Sequence, residues 1–296
     1  MSQERPRFTA AWISYLNTLP IKIELQKRAN INFLSGHPRT INALLAERKV
    51  DFGLTSSIAF FKNNPRRENF IPYGIGCLGP VQSVYFGFKN ADRSLHWMIE
   101  QKSALASYFS THLSNSSAAN MFDFPGHIPP KEFSVQFTPA SETSITLAKI
   151  FLRLFSGRNV LPDSQIEPQE KTEKVTVLIG DEALQKRDEF DSIIDLSSLW
   201  FEVTGLPFVF ALWQIYGAND LPLIIAESCE AAKRGLLKNS IEYLPLLPFL
   251  STSGQPVDLK NYWDCLDYKL TANHLRGLEL FFDLYTAWAG EKTFTL

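Results

Sequence analysis

Three stretches of the chain place small hydroxyl or amide side chains where an apolar run gives way to a helical pattern. They are Asn17 and Thr18, Ser56 and Ser57, and Ser141, Thr143 and Ser144; Ser83 follows a Gly79–Pro80 turn. Free N–H groups and the positive end of the helix dipole make such turns sites for anions. Capping alone accounts for Ser, Thr or Asn at any one of them. Three of them with Ser83 point to a small carboxylate or phosphate ligand. Acids and bases are few. Glu142, Asp181 and Glu182 fall in first helical turns, where a carboxylate also favours the dipole, and His37 and Arg39 lie in a loop before a helix. Cys77, beside a glycine-rich turn, reads either as a nucleophile or as a buried small hydrophobe. No Ser/His/Asp order, phosphate-cradling glycine loop or paired-carboxylate motif stands out. The cysteines (Cys77, Cys229, Cys265) and five histidines match no metal spacing, so neither metal nor disulfide scaffold is expected.

The elements that must position these residues alternate. A strand over Phe8–Ile13 runs into a helix from about Pro20 to Arg28, capped by Asn17 or Thr18. A strand near Ile31–Leu34 precedes a helix capped by Thr40, and Val50–Leu54 is a strand before a helix opened by Thr55–Ser57. This strand–helix order predicts an α/β fold with parallel strands. Val81–Phe88 is the next strand. Asp92–Tyr108 has helical text, yet Ser103–Asn120 and Asp123–Pro130 read as a surface excursion. Phe133–Phe137 is a strand, and the helix after Ser141 stops near Gly157. Asp163–Lys174 is a charged linker. Strands at Val175–Ile179 and Ile193–Asp195 follow, then a helix capped by Ser197, the strand Phe208–Tyr216, and helices from Leu221 onward. If Val81–Phe88 and Phe208–Tyr216 both cross between lobes, one lobe comprises residues 1–88 and 206–296 and the other 89–205. A ligand cleft is then lined by strand–helix turns.

The 296 residues carry 29 Lys plus Arg against 31 Asp plus Glu, and this net charge of -2 argues against a nucleic-acid partner. Hydrophobic content of 45% excludes a disordered chain. Apolar runs fall far short of the ~20 residues of a membrane span. The opening MSQERPRF lacks the pattern of a secretory leader. The expectation is a cytoplasmic protein without nucleic-acid or membrane partner.

Six blocks in order carry a family resemblance: ISYLNTLP at Ile13–Pro20, DFGLTSSIAF at Asp51–Phe60, GPVQSVYF at Gly79–Phe86, SETSITLAKI at Ser141–Ile150, LIGDEAL at Leu178–Leu184 and GLPFVFALW at Gly205–Trp213. They resemble the chorismate dehydratases of the futalosine route to menaquinone, the MqnA family. The resemblance implies a type II periplasmic-binding-protein-like fold: two α/β lobes joined by two crossover strands around a cleft. It also implies dehydration of chorismate to 3-[(1-carboxyvinyl)oxy]benzoate without cofactor. Residues 94–130 look like an insertion relative to that family. On the resemblance, Asn17 and Ser83 stand at active-site positions, where they orient the ring and hydrogen-bond the leaving hydroxyl. Ser56, Ser57, Ser141, Thr143 and Ser144 are then expected to hold carboxylates. No block supplies an obvious base, and the substrate's own enolpyruvyl carboxylate is the hypothesis for that role. A cytoplasmic binding or sensor protein for a small carboxylate is the alternative from another class. A transport-type solute-binding protein for an anionic nutrient, and the later pathway enzyme that cleaves a futalosine derivative, are further rivals.

Overall fold

A computed structural model of the chain describes residues 7–36, 38–63, 69–113, 117–127, 133–137, 141–156, 173–217, 220–237 and 249–290. In chain order the first elements are β1 (Phe8–Trp12), a 3-10 turn (Leu16–Thr18), α1 (Leu19–Arg28), β2 (Ile31–Ser35), α2 (Pro38–Ala46), β3 (Phe52–Ser56), α3 (Ser57–Asn63) and β4 (Tyr73–Cys77). Next come β5 (Val84–Phe88), α4 (Asp92–His112), a 3-10 turn (Ala118–Asp123), β6 (Phe133–Phe137), α5 (Glu142–Ser156) and β7 (Glu173–Ile179). Then follow α6 (Asp181–Lys186), β8 (Ser192–Asp195), α7 (Leu196–Thr204), β9 (Phe208–Ile215), α8 (Leu221–Leu237), α9 (Leu259–Asp264), β10 (Leu266–Lys269) and α10 (Ala272–Ala289). The chain divides into two compact units. One comprises Met1–Gly76, Val209–Pro248 and Asp258–Thr271; the other comprises Cys77–Phe208, Phe249–Val257 and Ala272–Leu296.

The first unit is built on a six-stranded sheet in the order β10-β4-β9-β3-β1-β2. β1 runs parallel to β2 and β3, while β9 returns antiparallel beside β3. Strands covered on both faces are mostly apolar, and FTAAW and FGLTS are buried except at Thr9 and Ser56. Trp213 lies 6.0 Å, centroid to centroid, from both Trp12 and Phe52. On α2, Ile41 and Leu45 are one turn apart and pack on Ala11 and Val50.

Helix α1 packs on α8 and buries Glu24, whose carboxylate accepts from Lys27 at 2.8 Å and Arg28 at 2.7 Å. Burial alone would raise the Glu24 carboxyl, but these hydrogen bonds and charges hold it below its ordinary value. A depressed folded value contributes stability that is present above the unfolded value and lost as pH falls through the folded one. Glu24→Gln is therefore expected to cost about 1 kcal/mol at neutral pH, the partners being partly exposed. Urea midpoints should converge with wild type in strong acid. A deficit that persists there would contradict the ion-pair origin.

The second unit holds a four-stranded sheet in the order β6-β7-β5-β8. β6 and β7 are parallel, and β5 is antiparallel to both of its neighbours. All five residues of β5 (VYFGF) are buried. An aromatic cluster joins Trp200, Phe208 and Phe281, with centroids 4.9 to 6.2 Å apart. Gly277 of α10 faces the carbonyl of Pro207 so closely that an added Cβ would collide with it.

Several sequence expectations are corrected here. Val84–Phe88 belongs to the second unit rather than to the first lobe, because it pairs only with β7 and β8. The chain passes between units at 76/77, 208/209, 248/249, 257/258 and 271/272. Helix α10 also belongs to the second unit, through its cluster with Trp200 and Phe208. Two strands lie outside the expected ones: β4 overlaps the turn expected at Gly76–Pro80 only at Gly76 and Cys77, and β10 falls where helix is expected; YGIGC is glycine-rich, and LDYK is too short to show periodicity. Residues 94–113 and 117–127 are no surface excursion. α4 buries Trp97, Met98, Leu105 and Phe109, and Ser94 donates through N and Oγ to Glu173 at 2.8 and 2.6 Å. Buried Gln101 accepts from the His127 amide at 3.1 Å, and the Trp97 indole donates to the His127 carbonyl at 3.1 Å. Thr40 lies inside α2 instead of capping it. Gly157 and residues 163–172 of the expected linker lie outside the described residues. No helix among the described residues is long and apolar enough to cross a membrane.

Candidate functional site

In the first unit, β1 and β3 are parallel neighbours, so their C-terminal ends share one edge of the sheet. Asn17 lies just past the end of β1, and Ser56 ends β3. Such edges are where open α/β sheets present ligand-binding turns. The Asn17 turn is clamped by two buried aromatics. Tyr268 of β10 donates its hydroxyl to the Asn17 carbonyl at 3.0 Å, and the Trp263 indole of α9 donates to the Leu16 carbonyl at 2.8 Å. Thr18 occupies the N-cap position of α1 but does not cap it. Its hydroxyl ties the turn instead, donating to the carbonyls of Ile13 and Tyr15 at 3.1 and 2.8 Å. The Oδ1 of Asn17 is buried and accepts no hydrogen bond. Leaving a buried acceptor unpaired costs about 1–3 kcal/mol.

Ser56 behaves as a cap, its Oγ accepting from the Ala59 amide at 3.3 Å. Ser57 is fully buried and donates its hydroxyl to the Val209 carbonyl of β9 at 2.8 Å. Its side chain is thus tied to the sheet.

In the second unit, strand register collects the remaining expected residues at one end of the four-stranded sheet. Val84 at the start of β5 pairs with Ile179 at the end of β7, Tyr85 with Asp195 at the end of β8, and Phe137 at the end of β6 with Val177. Ser83 therefore shares an edge with the entries to α6 and α7 and with the end of β6, the strand that precedes α5. Ser83 is buried and accepts through its carbonyl from the Gly180 amide at 2.6 Å. At the start of α5, Ser141 Oγ accepts from the Ser144 amide at 3.4 Å and from its hydroxyl at 3.3 Å. Thr143 and Ser144 are buried.

Asp195 is the residue that sequence reasoning missed. Ser197 was expected to cap α7, but the cap is Asp195, whose carboxylate accepts from the amides of Ser197 and Ser198 at 3.0 Å. The same carboxylate reaches the Ser83 turn and accepts from Val81 at 3.2 Å and Gln82 at 2.7 Å. Burial pushes this carboxyl above its ordinary value, against four amides that favour the anion. An aspartate two residues before a serine, both eligible caps, was the available signal.

The other candidates are structural. Cys77 is buried, its thiol turned to the carbonyls of Gly79 and Pro80 at 3.4 and 3.2 Å. Glu182 pairs with Lys186 at 2.7 Å within α6, Asp181 opens that helix, and Glu142 opens α5. His37 and the side chain of Arg39 lie outside the described residues. Among the described residues no three His, Cys, Asp or Glu gather in a group that could hold a metal ion. An open groove of about 420 Å³ between α4, β8 and α7 is lined by Leu95, Ile99, Ile193 and Leu199, with Lys102 and Glu202 among its polar residues. None of the expected site residues lines it.

A family model described as menaquinone biosynthesis matches residues 8–114 and 115–287. The chain belongs to the menaquinone-biosynthesis family. The two matched stretches meet at 114/115, within residues 94–130. Within this family setting the chain is 22% identical over 222 residues to the chorismate dehydratase of Thermus thermophilus, covering 74% of each protein. It is 27% identical over 207 residues to the chorismate dehydratase of Campylobacter jejuni, covering 67% of this chain and 63% of that one. The fold is that of the periplasmic binding proteins. The alkanesulfonate-binding protein SsuA of Xanthomonas axonopodis superposes with a TM-score of 0.53 at 12% identity, covering 99% of this chain and 96% of that one.

Proposed function

We propose that this member of the menaquinone-biosynthesis family removes water from chorismate to give 3-[(1-carboxyvinyl)oxy]benzoate on the futalosine route, as a cytoplasmic hydro-lyase. What carries the reading in the structure is the buried, unpartnered Oδ1 of Asn17, in a chain similar to two chorismate dehydratases. Asn17 and Ser83 orient the ring and hydrogen-bond the leaving hydroxyl. Ser56, Ser141, Thr143 and Ser144 hold the two carboxylates through hydroxyls and helix N-terminal amides. Ser57 contributes through its backbone, since its hydroxyl is given to Val209.

The reaction asks little of the protein beyond placement. The C–H bond at the ring carbon bearing the ether breaks, its electrons form the new ring double bond, and the neighbouring hydroxyl departs. The ring becomes aromatic, with no change of redox state. The proton passes to the substrate's enolpyruvyl carboxylate and then to the departing hydroxide, completing water. A carboxylate held beside the proton it removes gains the effective molarity of an intramolecular reaction. Glu142→Gln tests this assignment: retained turnover is expected, and loss of turnover with chorismate still bound would make Glu142 the base.

A binding protein for a small anion is the second reading, favoured by the shared fold with SsuA. Ultraviolet spectra separate the two. The diene absorption of chorismate is expected to give way to that of a benzoate. An unchanged spectrum with a raised melting temperature would favour binding without turnover.

A further inference from the structure

The turn that carries Ser83 is not held by its own residues alone. Gln82 sits at φ 63, in the left-handed region, which costs a non-glycine residue of order 1–2 kcal/mol and persists only where surroundings impose it. Asp195 bonds to this residue, and its two oxygens divide the work. Oδ1 accepts from Ser197 and Ser198 at the start of α7 and from Val81. Oδ2 accepts from the Gln82 amide at 2.7 Å. One carboxylate thus links the helix entry to the strained residue directly before Ser83.

We propose that Asp195 is the positioning residue of the Ser83 turn, its Oδ2 holding Gln82 in the left-handed region so that the Ser83 hydroxyl is presented to substrate. The inference rests on the dehydratase reading. It makes the two oxygens separable by a single isosteric change. In Asp195→Asn the amide oxygen keeps the Oδ1 contacts, and asparagine caps a helix as well as aspartate does. The amide nitrogen then faces the Gln82 N–H, donor against donor, and the anchor is lost.

Steady-state turnover of chorismate by Asp195→Asn, with melting temperature measured alongside, tests the role. The expected result is a fall in kcat of roughly tenfold or more from displaced catalytic geometry, with KM moving by less than about threefold. The melting temperature should be nearly kept. Adding Gln82→Gly is expected to restore most of the lost kcat, because glycine adopts the positive φ unaided. A kcat equal to wild type in Asp195→Asn overturns the proposal. So does a double variant that gains thermal stability but no kcat, since that is the behaviour of a purely structural cap. A wild-type chain that leaves chorismate unchanged overturns the dehydratase reading and this inference with it. Turnover by wild type with no effect of Asp195→Asn overturns this inference alone.

Discussion

Asn17→Ala is expected to lower kcat on chorismate about a hundredfold, the scale of loss when a reacting group is left misplaced. The same change should leave the melting temperature of the free protein unchanged or raise it. Both expectations come from one atom. Oδ1 is buried and accepts nothing, so the folded chain bears its desolvation without return until a donor arrives. Alanine removes that cost, and the Tyr268 hydroxyl bond to the backbone carbonyl of residue 17 is kept. Removing a residue that only supported the fold would move both quantities downward together. A variant with full kcat would withdraw Asn17 from the site, and one with a lowered melting temperature would mean that Oδ1 has a partner in the folded state.

The largest expected effect on stability is at Gly277. In α10 this residue touches the Pro207 carbonyl, and a Cβ there meets backbone, which cannot rotate away. Gly277→Ala is expected to cost about 2–4 kcal/mol, as overpacking against a fixed group does. The loss should fall on the second unit, where Phe281 packs on Phe208 and Trp200. Hydrogen exchange can locate it: amides of α7 and α10 should lose protection before those of β1 and β3. Equal loosening of both sheets would contradict the assignment of α10 to the second unit.

Much of this was legible in the residues. The strand–helix alternation from Phe8 to Ser57 marks parallel strands, and apolar β1 and β3 appear as continuous runs because both faces are covered. Asn17, Ser56 and Ser141 were found as helix-entry polar residues, which is what the local chemistry of a turn dictates. What escaped needed partners distant in sequence. Whether Asn17 Oδ1 is used by its neighbours depends on how the Leu16–Thr18 turn folds. That Ser57 is spent on Val209 depends on β9 lying beside β3. Asp195 ends a strand in sequence and structure alike, but its part in the Ser83 turn is hidden because its bonds to Val81 and Gln82 span more than a hundred residues. β4 and β10 were hidden by composition: glycines in one, and four residues of alternating character in the other. The division into units was misjudged at β5, since a strand's text does not tell which sheet it joins.

The most direct test of the whole account is mass analysis of chorismate after incubation with the purified wild-type chain and with Asn17→Ala, side by side. Wild type is expected to give an aromatic product lighter by the mass of one water, and the variant to form the same product far more slowly. Chorismate recovered intact from wild type, or consumed equally by both proteins, would contradict it.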